Sequence, residues 1–185
     1  MPNSARKPTR TKLAGIKMVI FDFDGVLTDN RVWVSETGER MKSFWVPDGV
    51  GIFMAHKIGL KFAIITGNDD SSTRHRADYL RISDVFMGVR DKGEVYDQLK
   101  SKHGLHDEEI MYLGDDLPDR PIFQRKCLSV APSDAEPEIK KLASWIARKP
   151  GGKGFVREVI DAILAARGFD WTPEGSRQAM KNQEV

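Results

Sequence analysis

A chain of 185 residues with 40% apolar and 30% charged side chains can bury one sizeable core in a single domain. A formal net charge of +2 leaves no basic footprint for nucleic acid, and no apolar run approaches the ~20 residues that span a membrane. The one cysteine, Cys127, excludes an internal disulfide and fits a reducing, cytoplasmic setting as a buried structural thiol. Residues 1–14 carry Arg6, Lys7, Arg10 and Lys12 with no acid among them, which reads as a flexible basic N-terminal tail. The domain proper is expected over 15–168, and residues 169–185, polar after Trp171, read as a loosely held C-terminal tail.

Within 15–168, apolar runs alternate with amphipathic segments. Strands are predicted over 18–23, 61–65, 84–87, 110–114 and 127–130, and helices over 49–58, 71–81, 92–103, 117–125, 134–143 and 154–167. Gly59 and Gly104 sit where helices end in a left-handed glycine, and Asn68-Asp69-Asp70 offers N-caps ahead of Ser71. Such alternation argues for a parallel sheet covered on both faces, with ligands at the carboxyl ends of its strands. Residues 31–46 break the pattern. Their two short aromatic-rich runs joined near Thr37-Gly38 predict a hairpin beside the site. Carrying Trp33, Phe44 and Trp45, it needs a partner surface, for which a second subunit is favoured over the parent domain.

The chemistry gathers at the predicted strand ends. Met18-Val19-Ile20-Phe21 runs into Asp22-Phe23-Asp24-Gly25-Val26-Leu27-Thr28-Asp29. Asp22 and Asp24, two apart, share a face, and Gly25 lets the chain turn away to leave both at an open lip. Like charges so close ask for a divalent cation, or for one acid that stays protonated. Later strands end in Ile65-Thr66-Gly67 and in Gly114-Asp115-Asp116-Leu117-Pro118-Asp119, and Asp91-Lys92-Gly93 begins the helix after the third strand. Carboxylates, a hydroxyl, a lysine and glycine-exposed amides in one crevice suit magnesium-dependent phosphoryl transfer.

This ordered set resembles the haloacid dehalogenase superfamily of phosphatases over about residues 18–160. The resemblance implies a three-layer, Rossmann-like α/β fold: a parallel sheet with helices on both faces, plus the protruding β-hairpin. By that resemblance Asp22 is the nucleophile that forms an aspartyl-phosphate, and Asp24 is first general acid and then general base. Thr66 and Lys92 hold the phosphoryl group. Mg2+ is held by Asp22, the Asp24 carbonyl and Asp115, with Asp116 and Asp119 behind them.

The stretches from Asp24 to Thr66 and from Thr66 to Lys92 are too short for a cap domain. The chain is therefore similar to the small capless phosphatases acting on 8- or 9-phosphates of 3-deoxy-2-ulosonic sugar acids. Their best-known member type acts on 3-deoxy-D-manno-octulosonate 8-phosphate. That likeness rests on residues 25–29, Asp48-Gly49-Val50-Gly51-Ile52, residues 114–119, and Gly151-Gly152-Lys153-Gly154-Phe155-Val156-Arg157-Glu158. It implies a homotetramer with shared active sites, and substrate contacts from Asp48, Gly67, Asn68 and Arg157. The glycines before the last helix, with Lys153 and Arg157, read as an anion-friendly helix start for a sugar-acid carboxylate.

Two positions depart from the octulosonate pattern. Asn68 stands where an arginine is usual, and Pro47 precedes Asp48. Together with Phe44-x-x-x-Asp48 they leave a nonulosonic acid 9-phosphate open as substrate. A receiver domain is disfavoured because its phosphoacceptor lies on a middle strand. Phosphotransfer or phosphonate chemistry on the same fold is a third possibility. An idle assembly or regulatory module is a fourth, but it would be expected to lose a core acid, and none is missing.

Overall fold

The computed structural model describes residues 7–172 and Glu174; the rest of both predicted tails lies outside the described residues. The main sheet has six parallel strands: β1 (Met18–Phe21), β4 (Lys61–Ile65), β5 (Asp84–Phe86), β6 (Ile110–Leu113), β7 (Leu128–Ala131) and β8 (Trp145–Ile146). They lie side by side in the order β5-β4-β1-β6-β7-β8. A separate antiparallel pair, β2 (Trp33–Val34) and β3 (Arg40–Met41), is the hairpin.

Every residue of β1 is buried, and alternation splits them between two cores. Val19 and Phe21 face α2 (Val46–His56), α7 (Phe155–Ala166) and the short α1 (Arg10–Ala14). Met18 and Ile20 join Tyr96 of α4 (Lys92–His103), Ile122 of α5 (Arg120–Phe123) and Ile139 of α6 (Pro137–Leu142). The remaining helix, α3 (Ser71–Tyr79), leads from β4 to β5. Both faces of the sheet are covered, as the alternation of elements requires. Cys127 is buried against the Ile122 carbonyl. Among the described residues no helix is long and apolar enough to cross a membrane.

Several boundaries differ from expectation, each for a physical reason. Helix α2 begins at Val46, because Pro47 in its first turn has its φ already set and no N–H to leave unbonded. The single helix expected over 117–125 is broken into a 3₁₀ turn (Leu117–Asp119) and α5, with Pro118 and Pro121 each opening a new turn. Strand β8 was not foreseen, since two residues at a sheet edge carry no periodicity. Part of the basic N-terminal segment is also ordered. Thr9 caps α1, Leu13 enters the core, and Arg10 donates to the Ala166 carbonyl. Just after α7, Phe169 is buried and the Trp171 ring lies 3.9 Å from the Arg157 guanidinium.

Candidate active site

Strand order reverses direction at β1, which lies between β4 and β6, so the carboxyl ends of these three strands open on one crevice. It encloses about 230 Å³ and is lined by Asp22, Asp24, Asn30, Thr66, Gly67, Asn68, Lys92, Asp115, Asp116 and Pro118. That volume suits a phosphate group rather than a whole sugar phosphate.

Asp22 follows β1 directly. Its Oδ1 accepts from the Phe23 amide at 2.6 Å, and its Oδ2 lies 2.8 Å from Lys92 Nζ. Lys92 opens α4, whose N-terminus is capped by Asp91. Its ammonium, 3% exposed, also meets Asp119 Oδ1 at 2.7 Å. Burial opposes the charge on Lys92, but the two carboxylates outweigh it and hold its pKa above the ordinary value. Thr66 ends β4, and its hydroxyl accepts from the Asn68 amide at 3.2 Å. Asp24 Oδ1 accepts from Thr28 Oγ1 at 3.3 Å, while its Oδ2 receives Asn68 Nδ2 and Lys42 Nζ, the latter at 2.8 Å.

Asp22, Asp115 and Asp119 are buried with ligand-capable oxygens within 4.8 Å of one another. Their bonding separates them. Both oxygens of Asp119 are engaged: Oδ1 by Lys92 and by the Tyr112 hydroxyl at 2.6 Å, Oδ2 by the amides of Asp115 (2.9 Å) and Asp116 (3.3 Å). Asp115 instead has a buried Oδ1 with no hydrogen-bond partner. Burial, then repulsion from Asp22 and Asp119, pushes its carboxyl up to about 8. Burial and Asp119 likewise push Asp22 up to about 7, against the pull of Lys92. Two acids this reluctant to ionise together, one with an unpartnered oxygen, fit a divalent cation between them. Asp119, expected behind the metal ligands, has both oxygens committed to the protein's own donors. Asp116, expected beside it, is exposed on the rim and bonds the Leu117 amide.

Gly25 makes this packing possible. At φ +75° it adopts a conformation that suits glycine, and a Cβ there would lie 1.9 Å from Asp115 Oδ2. Behind it, a Cβ on Gly151 would lie 1.8 Å from the Gly25 carbonyl oxygen, and the Gly152 amide donates to the Val26 carbonyl at 3.1 Å. The glycine run before α7 thus braces the Asp22–Asp29 loop.

Asp48 and Arg157, expected to contact substrate, meet each other at the start of α7. The anion at the start of α7 is the protein's own Asp48, 1% exposed, whose Oδ1 accepts the Arg157 amide at 2.7 Å. Burial pushes the Asp48 carboxyl up to about 6, against that bond and one from the Gly154 amide. The Arg157 side chain bonds Asp161 at 2.8 Å and the Pro47 carbonyl at 3.4 Å. Neither residue lines the crevice, whereas Gly67 and Asn68 do.

Sequence reasoning missed three residues at the site. Asn30, at φ +64°, donates from Nδ2 to Asp115 Oδ2 at 3.2 Å. Lys42 and Asp70 meet beside Asp24. Only the alternation of the hairpin could have singled out Lys42; no motif marks Asn30, and Asp70 was marked only as a possible helix cap. The hairpin's surface is divided. Trp33 and Met41 are cross-strand partners, 61% and 59% exposed. Phe44, expected with the exposed aromatics, packs edge-on against Phe23 of the parent domain.

Comparison with known proteins agrees with this geometry. A haloacid dehalogenase-like hydrolase model matches residues 81–158. The 3-deoxy-D-manno-octulosonate 8-phosphate phosphatase KdsC of Escherichia coli K12 is 38% identical over 157 residues, 85% of this chain and 84% of that protein. The chain belongs to this phosphatase family of the haloacid dehalogenase-like hydrolases. Among solved structures, the family's Moraxella catarrhalis phosphatase, in complex with magnesium, phosphate and KDO, is 32% identical, with a TM-score of 0.83 over 86% of this chain and 91% of that one. The cobalt-bound Haemophilus influenzae phosphatase is 37% identical, with a TM-score of 0.84 over 89% and 98%. Family membership makes the chain a phosphoric monoester hydrolase.

Proposed function

We propose that the protein is a Mg2+-dependent phosphatase acting on 3-deoxy-D-manno-octulosonate 8-phosphate through an aspartyl-phosphate on Asp22. The observation that carries this reading is the meeting of Asp22, Asp24, Thr66, Lys92 and Asp115 around one phosphate-sized crevice. The names of the family's characterised relatives supply the sugar acid. Asp22 and Asp115, with the Asp24 carbonyl, would hold the cation, which when bound offsets charge on the phosphate.

The chain's own residues do the rest. Lys92 and the Thr66 hydroxyl hold the phosphoryl oxygens, with Gly67 and Asn68 at the same lip. An Asp22 oxygen attacks phosphorus while Asp24 gives its proton to the departing sugar oxygen. Asp24 then takes a proton from water, which attacks the aspartyl-phosphate to release phosphate and restore Asp22. Lys92, paired with Asp22 before the attack, turns its charge to the phosphoryl group as Asp22 is esterified. Asp119 keeps Lys92 and the Asp115 loop in place. Asp116, at the rim, has no assigned step.

A crevice this small leaves most of an eight-carbon acid outside it. The exposed Trp33 and Met41 of the hairpin support assembly with further copies, as a tetramer whose neighbours complete the site. The reaction is assigned to the cytoplasm. Asn68 favours a second substrate, a nonulosonic acid 9-phosphate, because an amide at that lip lacks the fixed charge of the arginine usual there. A screen of phosphate release with Mg2+ across octulosonate, nonulosonate and simple sugar phosphates tests the substrate. Asp22→Asn tests the mechanism, with turnover expected to fall on the order of 10³-fold or more at unchanged fold. Near-normal turnover in that variant would refute the covalent route. A wild type inactive across the whole screen would instead favour an idle assembly module.

A further inference from the structure

The hairpin sends one side chain inward that the proposed mechanism does not use. Lys42 follows β3, where side chains alternate. Met41 points out at 59% exposure, while Arg40 and Lys42, on either side of it, both reach Asp70. Unlike those of Trp33 and Met41, the Lys42 side chain is covered. It is 0% exposed, and its ammonium sits 2.8 Å from Asp24 Oδ2, 2.9 Å from Asp70 Oδ2 and 5.3 Å from the centre of the Phe23 ring. Taking an ammonium out of water costs several kcal/mol unless charges of opposite sign meet it. Here two carboxylates from different parts of the chain do so, one belonging to the acid that serves the leaving group.

We infer that Lys42 is a positioning residue for Asp24. By gripping Oδ2 together with the Asn68 amide, it fixes the rotation of the Asp24 carboxyl group so that Oδ1, the oxygen left to carry the proton, faces the leaving oxygen. A carboxyl held on one oxygen by Thr28 and on the other by Lys42 and Asn68 has no free rotation about its side-chain bonds. Lys42 itself is held by Asp70, which also pairs with Arg40 at 2.8 Å. The orientation of the acid is therefore set by the docking of the hairpin, the same element whose outer face is left for assembly. This inference rests on Asp24 acting as the proton donor.

The test compares two substrates with the intact wild-type chain and its variants in Mg2+. An alkyl phosphate needs its leaving oxygen protonated, whereas p-nitrophenyl phosphate departs with little help. A misplaced acid therefore slows the first far more than the second. For Lys42→Met we expect kcat on the alkyl ester to fall about tenfold or more, kcat on the aryl ester less than about threefold, and KM to change little. Lys42→Arg should recover part of the alkyl rate. Asp70→Asn removes the other carboxylate that holds Lys42, and should shift the alkyl-to-aryl ratio the same way by about two- to fivefold. It carries the test if Lys42→Met folds poorly. Equal loss on both esters, or an unchanged ratio in the folded variants, overturns the inference. A wild type inactive on every phosphate ester overturns the functional reading itself.

Discussion

Asp119→Asn offers a sharp test of how the site is built, because every acceptor position of that side chain is occupied. Asp119 is 0% exposed, and its oxygens receive four donors: Lys92 Nζ and the Tyr112 hydroxyl on one, two backbone amides on the other. Asparagine has one acceptor oxygen and one donor NH₂. If the NH₂ faces the loop, two amides lose their partner. If it faces Lys92, an ammonium and an NH₂ are brought together, and even a rotated Tyr112 hydroxyl relieves only its own bond. The first orientation loses two buried amide bonds; the second loses the Lys92 ion pair and puts a donor against the ammonium in its place. Two buried amides left unsatisfied, or one buried ion pair broken, cost roughly 3–5 kcal/mol. For a chain of this size that lowers Tm by roughly 6–20 °C. The measurement is thermal or urea unfolding at neutral pH in a chelating buffer, so that cation binding does not contribute. A loss below about 1 kcal/mol would falsify the fully bonded account of Asp119.

Gly25→Ala should leave the sheet folded while displacing Asp115, since a Cβ 1.9 Å from a carboxylate oxygen cannot coexist with it. Titration calorimetry should show Mg2+ affinity falling at least about tenfold, and unchanged affinity would contradict the proposed ligand role of Asp115. Asp84, at the opposite end of the sheet, gives a pH signature. Burial raises its pKa, but bonds from Lys102 and His103 outweigh this and hold it below the ordinary value. A depressed folded pKa adds stability above the unfolded value of about 3.9 and loses it as pH falls through the folded one. Asp84→Asn should thus cost about 1–2 kcal/mol at pH 6, allowing for the exposure of Lys102, and the gap to wild type should narrow steadily as pH falls below the unfolded value. A gap independent of pH would disprove that origin. Trp33→Lys with Met41→Lys, two charges on the hairpin's outer face, should reduce the mass seen by light scattering without loss of helical signal. An unchanged oligomer would place the interface elsewhere.

What could be read from the sequence divides along a physical line. Asp22, Thr66 and Asp115 were legible because each follows an apolar run, and Lys92 because it opens the helix after one; a parallel sheet brings such ends together whatever the loops do. The bond between Asp48 and the Arg157 amide was not legible, because sequence gives chemical type without distance. An acid and a base far apart in the chain look like two hands for a substrate until the acid is found on the amide of the base. Lys42 was missed for the converse reason. Amid aromatic residues it looks like an ordinary surface lysine, and only the docking of the hairpin buries it. Strand β8 and the break at Pro121 lay below what periodicity resolves, being two residues long in one case and set by a single ring in the other.

The contact between Gly151 and Gly25 bears on the order in which the protein becomes competent. The loop carrying Asp22 and Asp24 is synthesised well before the surface that braces it, which lies just ahead of α7. A growing chain can form β1 long before that brace exists, and closing so long a loop is a late, non-local event in folding. The cation site is thereby tied to completion of the domain, and a fragment lacking the turn before α7 would carry every charged residue of the crevice without the shape that holds Asp115 against Gly25.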